Sequence, residues 1–193
     1  MNKGATRTTI IISLLIVALV GYYAYLSNKD RARREESAVT AVEAALSRDL
    51  NKDYPPTPKE VIKYYNELLR CLYNEESSQD EIEALGLKAR ELYDEELLEA
   101  NELGGYLIRL QSDVNDYRNN NRRITNFSVA SSNNVEMFEQ DGYSFAKIMC
   151  GYNIMQGGQS HPSDQVYLLR KDADRRWKIY GWEAAENLET QVE

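Results

Sequence analysis

The stretch Arg170–Glu186, "RKDADRRWKIYGWEAAE", decides the fold. A charged turn, "KDADRR", separates two runs that alternate apolar with polar residues. Period-two alternation sends successive side chains to opposite faces of a strand. The stretch therefore predicts the closing hairpin of an antiparallel sheet, with "QVYLLRK" and "RWKIYGWEA" as its strands. Strict alternation assigns Trp177, Ile179 and Gly181 to one face, and Tyr180 with Trp182 to the other. One tryptophan then closes the core and the other points outward.

Upstream of the hairpin the same period continues. "YSFAKIMCGYNIMQ" reads as a long strand with Ile148, Cys150, Tyr152 and Ile154 on one face. Asp141-Gly142 before it is a hairpin signal. "RITNFSVASS" and "NVEMFEQ" read as one broken strand or two, and "QGGQSHPSD" as a loop. The second face of the sheet still shows Tyr143, Phe145, Met149 and Trp182. A single layer of helices covers only one side of a sheet, so this second apolar surface is a candidate contact face.

Before Arg123 the period is helical. Val61, Tyr65, Leu68 and Leu72 share a stripe in a helix from Pro58 to about Asn74, with Thr57-Pro58 as its start signal. Ile82, Leu85, Ala89 and Leu92 form a second stripe, and Leu107, Leu110, Val114 and Tyr117 a further one. Asp94 can cap a short turn, "EELLEAN", and Gly104-Gly105 interrupts after it. Helices first and consecutive strands after them predict an α+β domain over residues 54–186, with helices packed in a curved antiparallel sheet of about four to six strands.

The amino-terminal part differs in kind. "TTIIISLLIVALVGYYAYL", Thr8–Leu26, carries no charge and would span about one hydrocarbon core as a helix. Tyr22, Tyr23 and Tyr25 sit where an interfacial aromatic belt belongs. Bulky tyrosines occupy the positions a signal peptidase would need small, so an uncleaved single-pass signal anchor is expected. Residues 1–7 form a short tail, 27–53 a stalk helix and linker, and 187–193 a frayed end. Val39, Val42, Leu46 and Leu50 make one stripe of the stalk, which lies on the domain or pairs with another stalk. Pro55, Pro56 and Pro58 then break the helix. Counting Lys and Arg alone favours a cytoplasmic domain. The short basic tail followed at once by the apolar run is the pattern of a signal anchor, and the domain is expected on the extracytoplasmic side of the cell membrane.

Charge excludes one class of partner. Residues 1–53 carry a net +2 and residues 54–193 a net −10, with eleven acids between Glu75 and Glu102. Such a surface repels phosphate backbones, so no nucleic-acid partner is expected. No cofactor, metal site or catalytic residue is expected either. The single histidine, His161, has no Cys or carboxylate at ligand spacing and sits in the expected loop. Cys71 and Cys150 are either a disulfide, if the first helix packs on the long strand outside the cytoplasm, or two buried thiols. The strand acids Glu136, Glu139 and Glu183 fall at turns or exposed positions. Fourteen tyrosines are many for this length, and tyrosines at strand spacing pack more often than they react.

The ending with Trp177, Ile179 and Trp182 resembles the nuclear-transport-factor-like superfamily, also called ketosteroid-isomerase-like or SnoaL-like, over about Pro58 to Ala185. That resemblance implies a cone of sheet wrapped around helices. "TPKEVIKYYNELLRCLYNEE", "ARELYDEELLEAN" and "YLLRKDADRRWKIYGWE" are more closely similar to an uncharacterised bacterial family of single-pass membrane proteins of Gram-positive anaerobes. The enzymes' aspartate base and tyrosine pair have no counterparts on matching positions. Three functions follow in order. The first is a membrane-anchored domain for protein interaction or envelope assembly, through a protein partner or a homo-oligomer, with Tyr143, Phe145 and Trp182 as the contact face. The second is a binder of a small apolar or aromatic ligand, with Tyr65, Tyr152, Tyr167 and Trp177 lining the cavity. The third is an isomerase or dehydratase using a cavity carboxylate.

Overall fold

The computed structural model describes Tyr22 and residues 41–185. The expected tail, the membrane span apart from Tyr22, the first half of the stalk and the carboxy-terminal tail lie outside the described residues. Among the described residues no helix is long and apolar enough to cross a membrane.

Residues 41–47 form α1. Its stripe is spent on the domain itself: Val42, Ala45 and Leu50 are buried in the core, with Leu46 packed against it. The stretch 41–53 thus belongs to the same compact unit as the rest of the described chain. α2, Pro58–Asn74, starts with proline at the first position, and the Thr57 side chain accepts a hydrogen bond from the Glu60 N–H. α3, Gln79–Arg90, opens on a reciprocal capping box between Ser78 and Glu81. α4, Glu95–Ala100, is capped by Asp94. α5, Leu103–Asn119, begins before Gly104-Gly105, so those glycines lie in its first turn and the break falls at Asn101.

Five strands follow: β1, Arg123–Val129; β2, Glu136–Gln140; β3, Tyr143–Gln156; β4, Gln159–Lys171; and β5, Trp177–Ala184. All pair antiparallel in the order β1-β3-β4-β5, with β2 beside β3 on the same edge as β1. The broken strand of the sequence is therefore two strands in tandem along one long neighbour. At Asp141-Gly142 both residues have positive φ, 52° and 82°, as a two-residue hairpin turn requires.

Two readings change here. The loop expected at "QGGQSHPSD" shrinks to a tight turn at Gly157-Gly158, and β4 starts at Gln159 and carries His161 and Pro162. Proline is tolerated because β5 pairs only from Gln165 onward, leaving the other edge of β4 free at Pro162. The second change is Trp182. Between β4 and β5 the register slips at Leu168/Leu169, so Leu169 faces Ile179 and Leu168 faces Gly181, with Tyr180 as the extra residue. This β-bulge reverses the alternation. Trp182 pairs with the buried Tyr167 and lies on the inner face, together with Trp177 and Ile179.

The helices pack on that inner face. α2 lies directly on the sheet, and α3 and α5 lie on α2. Gly86 permits the α3–α5 approach, since a Cβ there would strike the side chain of Leu110. The inner face contributes Ala146, Ile148, Cys150, Tyr152, Tyr167, Leu169, Trp177 and Ile179 to one core with Val61, Ile62, Leu68 and Leu72. Two sheet edges are closed from within the chain. Residues 92–94 run along β5, with the Asp94 N–H donating to the Ile179 carbonyl and the Ile179 N–H to the Leu92 carbonyl. The Asn74 amide imitates a strand at β1, donating to the Ile124 carbonyl and accepting from its N–H.

Candidate functional site

The inner face holds an aromatic cluster. Tyr65 of α2, Tyr93 before α4 and Tyr167 of β4 surround the Trp182 indole with ring centroids about 6 Å away. Tyr106 of α5 adds an edge contact to Tyr93. Such tilted and edge arrangements suit the ring quadrupoles. The hydroxyls are paired with each other. Tyr65 and Tyr93 share a hydrogen bond of 3.2 Å. The Tyr167 hydroxyl donates to Gln165 Oε1 at 3.0 Å, so its oxygen accepts from Tyr152 at 2.6 Å. Burial pushes the Tyr65, Tyr152 and Tyr167 phenols well above the usual range, because a phenolate would lose its water there. They are neutral hydrogen-bonding groups at ordinary pH.

The four candidate cavity residues, Tyr65, Tyr152, Tyr167 and Trp177, are all buried core residues. The first three belong to this cluster. Trp177 lies apart, with its carbonyl accepting from the Tyr54 hydroxyl and Lys171 over its ring. A groove of about 330 Å³ lies elsewhere, between α1 and α2, lined by Ala41, Ala44, Ala45, Tyr64 and Cys71 with charged residues at its rim.

Cys71 and Cys150 are both free. The Cys71 thiol contacts the Ala41 carbonyl, and burial pushes it up to about 11. Cys150 meets the Asn66 amide instead. Asn66 is buried, and among the described residues its Oδ1 has no hydrogen-bond partner.

The outer face is arranged differently. Tyr143 and Met149 are exposed, and Phe145 is half-buried against Phe138 with ring centroids 5.4 Å apart. Arg170 projects from this face between the rings of Tyr143 and Tyr180, at 4.7 and 5.0 Å. Its guanidinium grips the Asp94 carboxylate with two hydrogen bonds and Glu96 with a third. Tyr180 also donates to Glu96, at 2.6 Å. This network pins α4 to the edge of the sheet. Asp94 is the buried carboxylate among the described residues, and both of its oxygens accept from the Arg170 guanidinium. Glu136, Glu139 and Glu183 are exposed.

Sequence reasoning assigned Asp94 only a cap and gave Arg170, Tyr93 and Tyr106 no role. Nothing in the alternation of β4 marks Arg170 as the partner of a residue 76 positions away. The sequence matches the family described as Domain of unknown function (DUF6715) over residues 1–182, and the chain belongs to that family. No curated protein matches it.

Proposed function

We infer that this family member is a membrane-tethered protein-interaction domain. The uncharged run 8–26 anchors it, the folded part lies outside the cytoplasm, and the outer sheet face takes a protein partner in an envelope assembly. One observation carries this reading. The inner face is filled by helices and paired tyrosines, while Tyr143, Phe145 and Met149 stand on the outer face with no described helix over them. Larger exposed apolar patches mark protein contact sites. The order of elements is compatible with the nuclear-transport-factor-like superfamily, and the reading places the domain among its non-enzymatic, anchored members.

The test is a photo-cross-linking amino acid at Met149, compared with one at Ser112 on α5, in intact cells. Protein adducts from Met149 and none from Ser112 are expected. Equal adducts from both, or none from Met149, overturn the reading.

A second reading has one observation in its favour. Trp182 is 41% exposed above Tyr65, Tyr93 and Tyr167, an aromatic surface that a flat small molecule could stack on. In a Trp177→Phe chain this reading expects indole or phenol to change the Trp182 fluorescence in a saturable way. A linear response or none removes it.

A further inference from the structure

Among the described residues β2 is an edge strand whose single partner is β3. Its hairpin with β3 closes on the two-residue turn Asp141-Gly142, so Gln140 and Tyr143 form the hydrogen-bonded pair next to the turn. Pairs alternate from there. Phe138 opposite Phe145, and Glu136 opposite Lys147, also bond to β3. The N–H and C=O groups of Met137 and Glu139 therefore point to the free edge. Among the described residues no backbone hydrogen bond reaches β2 from that side, and Met137 is 58% exposed. The edges at β5 and at Ile124 of β1 are closed by residues 92–94 and by Asn74, and the free edge of β4 carries Pro162, which has no N–H to offer, whereas β2 leaves its outward backbone groups open.

We propose that β2 pairs antiparallel with β2 of a second copy of this chain, across a two-fold axis at Phe138. This proposal rests on the reading of the domain as an interaction module. The register follows from the residues. Centred on Phe138, Met137 of each copy faces Glu139 of the other, and the open groups of both strands make four N–H···O bonds. The pleat is respected, because facing residues share a face. Glu136 faces Gln140, so no carboxylate stands directly opposite another, and Lys147 already lies beside Glu136. Centring on Glu139 instead would set two carboxylates face to face. Phe138 meets its own copy on the outer face, next to Phe145 with which it stacks. A self-complementary strand of this kind is the isologous contact a two-fold dimer needs.

Phe138 tests the register directly in the full-length chain in membranes. A non-hydrogen-bonded antiparallel pair has its Cα atoms about 4.5 Å apart, within disulfide reach. Phe138→Cys is expected to give a disulfide-linked dimer on mild oxidation. Glu136→Cys and Gln140→Cys are expected to fail alone and to link when co-expressed. Cys71 and Cys150 stay in place, and the unsubstituted chain gives the background. Glu139→Pro removes a free-edge N–H without touching the β3 ladder, so adding it should abolish the Phe138→Cys link. The cysteine pattern decides the matter even where Glu139→Pro fails to fold. A monomeric Phe138→Cys chain, or equal linking by all three single cysteines, overturns the edge pairing. If that chain stays monomeric while Met149 still captures a protein, the edge pairing is wrong and the interaction reading stands. A Phe138→Cys dimer without Met149 adducts keeps the edge pairing and removes the face.

Discussion

The two faces of one sheet use similar residues in opposite ways. On the inner face, Tyr152 and Tyr167 are buried, hydrogen-bonded to each other and covered by α2. On the outer face, Tyr143 is exposed and serves as one wall of the Arg170 stack. The inner face uses its aromatics to fill volume, which is where folding free energy comes from. The outer face uses charge to hold α4 and leaves apolar surface over. Tyrosine content alone thus says little about a site, because its neighbours decide whether a phenol packs, clamps or waits for a partner.

The largest expected effect breaks this comparison at its crossing point, Asp94. The Arg170 and Asp94 side chains are only 12% and 4% exposed. Arg170→Met leaves a buried carboxylate without its partner, and such a loss costs about 3–5 kcal/mol. Urea unfolding measures it. A change no larger than that of a surface substitution would show that the pair does not hold α4. Next is the core. Leu169→Ala on the inner face is expected to cost about 2–5 kcal/mol. Met149→Ala on the outer face is expected to stay within about 0.5 kcal/mol. Similar values for the two would erase the distinction between the faces.

Deleting Tyr180 sharpens the comparison in a different way. Without the extra residue, Ile179, Gly181 and Trp182 alternate strictly, and Trp182 stays opposite Tyr167 on the inner face. In a Trp177→Phe background its emission should therefore keep the native maximum. A red shift, as of an indole entering water, would show that Tyr180 is not the residue the bulge adds. The smallest effect at neutral pH concerns Tyr64, whose phenol is pushed up to about 12 by burial. Its folded pKa lies above its unfolded value of 10.0. The stability it provides is therefore whole below pH 10, and it is lost as pH rises through about 12, because the unfolded chain ionises first. Unfolding titrations across that window should show the decline, and Tyr64→Phe should flatten part of it. A wild-type profile that rises with pH would contradict the sign.

Much of the fold was legible in the residues. The capped start of α2, the stripes of α2, α3 and α5, and the Asp141-Gly142 turn are local signals, and local signals survive without knowledge of neighbours. The facing of Trp182 was misread because alternation was continued through a bulge. The trace was present: Trp177 to Ile179 is a step of two, but Ile179 to Trp182 is a step of three, which a regular strand does not make between residues of one face. The loop at His161 was misread because its glycines and proline look alike as breakers, whereas Gly157-Gly158 turn the chain and Pro162 sits on a free strand edge. The Arg170–Asp94 grip and the closed sheet edges depend on contacts between distant segments. No local pattern announces them.

The division between a filled inner face and a contacting outer face is tested most directly by native methionine oxidation. Met149 is 48% exposed on the outer face of the isolated chain. Its oxidation by dilute peroxide, followed by peptide mass, should be slower in intact membranes than in dilute purified protein, because a partner covers it. Equal rates in the two settings would show that the outer face stays bare where the protein works, and would contradict its role as the contact surface.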